Sequence, residues 1–175
     1  MLGGGVGDRL WIVNAEVHLD YHHADPAAHL GTIGDDLGLT RGQGVGLLTA
    51  ARVLDVVVAE DGGAGCAATV GVTSPTWAAA LDDTSTSWKP GTINLVCLVP
   101  AALSDAALVN AVITATEAKA QALAEAGLPG TGTASDAVAV ACPPGASEPY
   151  GGPRSLWGAR LARAVHAAVR AGLGA

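Results

Sequence analysis

Phenylalanine is absent from this chain of 175 residues, and the other large side chains are scarce: two Tyr, four Trp and one Met. A hydrophobic fraction of 50% therefore rests on Ala, Val and Leu, which build a core only by bringing backbones close together. Positive charge is also sparse. Nine Lys and Arg against 16 Asp and Glu leave a net charge of −7, which excludes a nucleic-acid protein needing clustered cations for phosphates. Only 14% of residues are charged, so disorder is excluded for the bulk of the chain. No apolar run reaches the roughly 18 residues a membrane span requires, because Pro100 and Asp105 interrupt the longest one. The first ten residues are rich in Gly and lack the basic segment and apolar stretch of a signal peptide, so the cytoplasm is the expected compartment. Cysteine is scarce and odd in number. Cys66, Cys97 and Cys142 stand far apart in apolar settings, as reduced core thiols rather than a disulfide framework, and none has a metal-ligand neighbour at zinc spacing. No metal site is expected.

What is present suits a single domain over residues 1–175. Trp11–Val13 reads as a strand, followed by a polar segment from Glu16 to His23. Asp25 caps a helix that has Pro26 at its first position and stops before Gly38. Val45–Thr49 reads as a buried strand; Val53–Val58 fits either a strand or a short helix. Glu60–Gly63 is a turn feeding a strand from Cys66 to Val72. Thr73–Gly91, with Trp77 and Trp88, is the longest irregular stretch and hence a functional-loop candidate. Thr92–Val99 is apolar enough for a strand buried on both faces.

Ser104 then caps a long helix that runs to Ala126, with Gly127 as the residue just past its end. Its expected buried stripe is Val109, Val112, Ile113, Thr116, Ala120 and Leu123, with a polar stripe of Asn110, Thr114, Glu117 and Gln121 beside it. The loop Gly130–Asp136 enters a strand at Ala137–Ala141, and Ser155 opens a C-terminal helix. Alternation of strands and helices predicts an α/β (or α+β) layered domain, with a mixed β-sheet packed against helices.

Four places carry candidate chemistry. The Gly130–Asp136 loop gathers Thr131, Thr133, Ser135 and Asp136; it lacks a P-loop ending and leads into a strand, so by itself it reads as a connection. Glu117 shares a helix edge with Asn110 and Thr114 and could act as a base if it faces a pocket; a solvated helix face is the plain alternative. Lys119 lies about 160° around the helix from Glu117, so the two are no local ion pair. His22 and His23 form the densest ionisable cluster with Asp20, Tyr21 and Asp25, yet neighbouring side chains diverge and a solvated loop is expected. Arg154, at a helix N-terminus after Gly151–Pro153, offers an anion or carbonyl contact.

Several long strings in fixed order resemble one family. They are Gly91-Thr92-Ile93-Asn94, then DAALVNAVITATEAKAQ from Asp105, GTGTASDAVAVACPP from Gly130 and GGPRSLWGARLARAVHAAV from Gly151. LGGGVG, VGLLTAA and TVGVTSPTW precede them. Together they are similar to the adenosylcobinamide amidohydrolase (CbiZ) family over nearly the whole chain. The resemblance implies hydrolysis of the amide that joins aminopropanol to the corrinoid, in corrinoid salvage, with the corrinoid as substrate and no cofactor. Among the residues that match its strings, Glu117 or Asp136 is expected as base acting on water, and Thr133 or Thr131 as nucleophile in a competing scheme. Asn94, Asn110, Thr114, Thr131, Arg154 and Trp77 are expected to contact the substrate. Family members carry residues ahead of Leu2–Gly5, so a shortened or divergent member is expected, with homo-oligomerisation through an uncovered strand edge. The His- and Asp-rich segment 16–23 keeps open a corrinoid-binding protein, or different chemistry in a specialised pathway.

Overall fold

The computed structural model describes residues 2–40, 42–81 and 91–175. Trp88 lies outside the described residues. Local signals in the chain set most element ends. Asp25 accepts a hydrogen bond from Ala28 N–H and starts helix α1 (Pro26–Asp36); Ser104 and Ser155 do the same for α2 (Asp105–Glu125) and α3 (Leu156–Gly172). Strands β1 (Trp11–Glu16) and β2 (Gly44–Thr49) pair in parallel as a two-stranded sheet. Strands β3 (Val57–Asp61), β4 (Ala64–Gly71), β5 (Thr92–Leu98) and β6 (Ala137–Ala141) form a four-stranded mixed sheet in that order. β3–β4–β5 run antiparallel, and β6 joins β5 in parallel through the α2 crossover. The chain is thus a single α/β domain.

Two local readings shift. Val53–Val58 is divided, with a short 3₁₀ turn at Val53–Asp55 and β3 starting at Val57. Glu60 and Asp61 belong to β3, and the hairpin turns on Gly62 and Gly63 alone, whose φ of 55° and 92° only glycine adopts without strain. The Arg163 guanidinium on α3 binds Asp61 through Nε and Nη2 and holds its carboxyl below the usual range.

The largest difference concerns α2. Its buried face is Ala107, Ala111, Thr114, Ala115, Ala118, Lys119, Ala122 and Leu123, whereas Val109, Val112 and Ile113 are 55%, 37% and 50% exposed. The alanine stripe wins because it lets α2 close on α3, whose inner face is Gly158, Leu161, Ala164, Val165 and Ala168. Both helices cover the face of the four-stranded sheet that carries Cys66, Ala68, Ile93, Leu95 and Cys97. Cys66 and Cys97 are cross-strand neighbours; their mutual hydrogen bond and burial push the Cys97 thiol well above its ordinary pKa, so it stays protonated. Among the described residues the other face is covered at one end, by β1 and β2, and Leu98 and Val58 are 57% and 71% exposed. β5 is therefore buried on both faces over Thr92–Leu95, as expected, and opens to one side at its end, Leu98.

Gly158 shows how tightly the start of α3 packs on the loop before it: a Cβ there would overlap the carbonyl oxygens of Gly151 and Gly152. Gly158→Ala should gain about 1 kcal/mol of helix propensity but lose about 1–3 kcal/mol or more to overpacking against backbone that has no rotamer to yield. The expected outcome in urea unfolding is a lower midpoint; a raised midpoint would show that the loop gives way.

Candidate active site

Asp136 closes the loop between α2 and β6 and collects four donors. Its Oδ1 accepts Ile93 N–H at 2.9 Å and the Thr133 hydroxyl; its Oδ2 accepts Thr133 N–H at 3.1 Å and the Lys119 ammonium. Lys119 and Asp136 side chains are only 7% and 11% exposed, so this is a nearly buried ion pair with its lone pairs satisfied. Gly132 passes where a Cβ would overlap both charged groups. The Thr133 hydroxyl also lies 2.7 Å from Gly91 O, and Ser135 Oγ lies 2.9 Å from Thr92 Oγ1. A hydroxyl, a carboxylate, an ammonium and a second hydroxyl pair therefore converge at the N-terminal ends of β5 and β6.

The Trp77 loop is docked on this cluster. Thr76 N–H donates to Gly132 O and Thr131 N–H to Thr76 O, both at 2.9 Å, while Ala78 N–H donates to the Thr131 hydroxyl at 3.0 Å. Gly130 makes the approach possible, since a Cβ there would crowd the Thr76 backbone at 2.7 Å. Trp77 remains 53% exposed beside the cluster. The structure thus brings Thr131, Thr133, Asp136 and Trp77 together.

Other residues read from the sequence lie elsewhere. Glu117 is exposed on the side of α2 away from Lys119 and lines a small groove of 210 Å³ with Gln121, Pro153, Arg163 and His166. Thr114, 1% exposed, donates to Gly151 O at 2.9 Å, and Asn110 lies against Gly152, so both hold the loop before α3 rather than face Asp136. Arg154 is exposed on that same loop. The expected polar stripe is accordingly split between a loop contact and solvent.

Asn94 faces the opposite side of β5 from Ile93 and ties the two sheets. Its Nδ2 lies 2.8 Å from both Asn14 Oδ1 and Leu48 O, Asn14 Nδ2 donates to Thr69 Oγ1, and Asn94 Oδ1 is buried without a partner among the described residues. In the segment 16–23 and helix α1, the rings of Tyr21, His23 and His29 stack. Among the described residues no group of three His, Cys, Asp or Glu side chains is placed to hold a metal.

A groove of 840 Å³ runs beside β6. The Gly-rich segment Gly3–Leu10 forms one wall, and Val109, Val112 and Ile113 of α2 form the other. Val138, the second residue of β6, lines it. Only Ala137 lies between Val138 and Asp136, a step of about 6.6 Å along the chain.

The family profile for adenosylcobinamide amidohydrolase matches residues 1–175. The chain belongs to the adenosylcobinamide amidohydrolase family. Among similar proteins, an adenosylcobinamide amidohydrolase of Methanosarcina mazei is 32% identical over 182 residues, covering 98% of this chain and 86% of that relative. An adenosylcobinamide amidohydrolase of Halobacterium salinarum is 54% identical over 86 residues, which are 48% of this chain and 36% of that relative's length. No solved structure matches the chain.

In this member of the adenosylcobinamide amidohydrolase family, sequence reasoning missed Lys119 as part of the site. The signal for it was present, since Lys119 is flanked by Ala115, Ala118 and Ala122, the residues that α2 buries. A lysine inside a buried stripe needs a carboxylate partner, and Asp136 supplies it.

Proposed function

We propose that this chain hydrolyses the amide joining the aminopropanol arm of adenosylcobinamide to the corrinoid, releasing adenosylcobyric acid and 1-amino-2-propanol, with Thr133 as the attacking group. The observation that carries the assignment is the Thr133 hydroxyl donating to Asp136, whose other oxygen is held by Lys119. Proton transfer along an existing hydrogen bond needs no rearrangement.

In this scheme Thr133 Oγ1 bonds to the amide carbon as its proton passes to Asp136 Oδ1. The Ala134 and Ser135 N–H groups make no hydrogen bond among the described residues and are available to the developing oxyanion. The carbon–nitrogen bond breaks, and the departing amine takes the proton from Asp136. Water then cleaves the ester, giving one proton to Asp136 that returns to Thr133. Lys119 stays against Oδ2 throughout, balancing the carboxylate and fixing its orientation. The corrinoid is consumed as substrate, and the scheme calls for no further cofactor. Three free cysteines support a reducing, cytoplasmic setting.

The test is incubation of the purified protein with adenosylcobinamide, with and without hydroxylamine. Released 1-amino-2-propanol is expected in both, and the hydroxamate of adenosylcobyric acid in the second. Release without hydroxamate would replace Thr133 by water as the attacking group; binding without release would leave a corrinoid-binding protein. Glu117→Gln is expected to turn over at the parent rate, and a loss there would move the base to the opposite side of α2.

A further inference from the structure

The edge of β6 bears on how a large substrate is held. Ala141 O accepts Val99 N–H at 2.9 Å, so Ala141 turns its peptide groups toward β5, and by the alternation of a parallel ladder Ala139 and Ala137 do the same. Val138 and Val140 therefore turn N–H and C=O outward, and these groups have no partner among the described residues. Both valines line the 840 Å³ groove, which is at the large end of the range for small-molecule sites. Its apolar wall is the Val109, Val112 and Ile113 stripe that the packing of α2 leaves uncovered.

We propose that this groove takes the corrin ring of the substrate, with peripheral amide arms hydrogen-bonded to the outward peptide groups of Val138 and Val140. This rests on the reaction proposed above. A primary amide carries one acceptor and adjacent donors, as a strand's edge does, so each arm pairs with the edge as a neighbouring strand would. The ring's apolar surface lies on the valine stripe, and the reacting arm extends past Val138 toward Thr133 and Asp136. A second strand from another copy would satisfy the same edge but would leave the width of the groove unfilled.

Cys142 supplies the readout, because it lines the groove and is half-buried while Cys66 and Cys97 are buried. Alkylation of Cys142 by iodoacetamide is followed in the Thr133→Ala protein with increasing adenosylcobinamide. Protection is expected at saturation. Val140→Pro, which removes an outward N–H from an edge strand that tolerates proline there, should raise the half-protecting concentration about five-fold. Ile113→Glu, placing a carboxylate against the ring, should raise it about ten-fold or more. Val58→Glu, on the opposite edge strand, should leave it unchanged. If Val140→Pro does not melt as a folded protein, Ile113→Glu decides. The proposal is overturned if Cys142 stays reactive while the corrinoid is bound, if both groove variants protect like Thr133→Ala alone, or if sedimentation shows a dimer that shields Cys142 without corrinoid. Hydrolysis by the parent without protection would overturn the groove and leave the reaction standing; protection without hydrolysis would do the reverse.

Discussion

Thr133→Ala is expected to cut kcat for adenosylcobinamide by about 10³-fold or more, while Thr133→Ser keeps it within about ten-fold of the parent. The reason is chemical rather than steric. The hydroxyl is the group that forms the bond to the amide carbon, and serine supplies the same oxygen in the same hydrogen bond to Asp136. Thr133 also lies within hydrogen-bonding distance of Gly91 O, so alanine removes a structural contact as well. Thr133→Val separates the two effects: it keeps the branched shape that packs in the loop and removes only the oxygen. A valine protein that melts close to the parent and has lost turnover supports the nucleophile. Turnover within ten-fold of the parent in both the Ala and Val proteins would sink it and leave a water molecule as the attacking group.

The second large effect is on stability. Lys119→Met should cost about 3–5 kcal/mol in urea unfolding, because it strands a nearly buried Asp136 carboxylate without its counter-ion. Methionine fills a similar volume, so the loss reports the charge rather than a cavity. Adding Asp136→Leu removes the stranded charge and should recover part of the loss. Recovery stays partial, because Ile93 N–H, Thr133 N–H and the Thr133 hydroxyl all lose their acceptor. A Lys119→Met protein within about 1 kcal/mol of the parent would mean that solvent reaches the pair and that it adds little to the fold.

Glycines explain much of the site's shape. Gly130 admits the Thr76 backbone, and Gly132 leaves the path between Lys119 and Asp136 open. Their clustering beside hydroxyl groups is visible in the chain, but Gly130 is required by a backbone 54 positions away, and Gly132 by Asp136 four positions on together with Lys119 thirteen positions back. The same holds for Gly151, where a Cβ would overlap the Ala107 carbonyl on α2.

The candidate site was legible in part. Thr131, Thr133 and Asp136 are neighbours in one loop, so their convergence needed only the turn that brings Thr133 N–H onto Asp136. Trp77 joined them through a two-stranded bridge between Thr76 and Gly132, which no spacing rule announces. Lys119 is not legible from helix spacing, because its partner is no neighbour on α2 but lies 17 residues onward, in the loop that enters β6.

By itself, the sequence determined what depends on neighbours a few residues apart. The caps at Asp25, Ser104 and Ser155, the glycines that end α1 and α2, and the strand–helix alternation of an α/β domain are set by local hydrogen bonds and φ preferences. Tertiary structure decided which stripe of α2 went inside. Hydrophobicity favours the valines, but burial also depends on how closely two backbones approach, and the alanine stripe meets α3 more closely. That choice buried Lys119 against Asp136 and left Val109, Val112 and Ile113 as the wall of the groove beside β6.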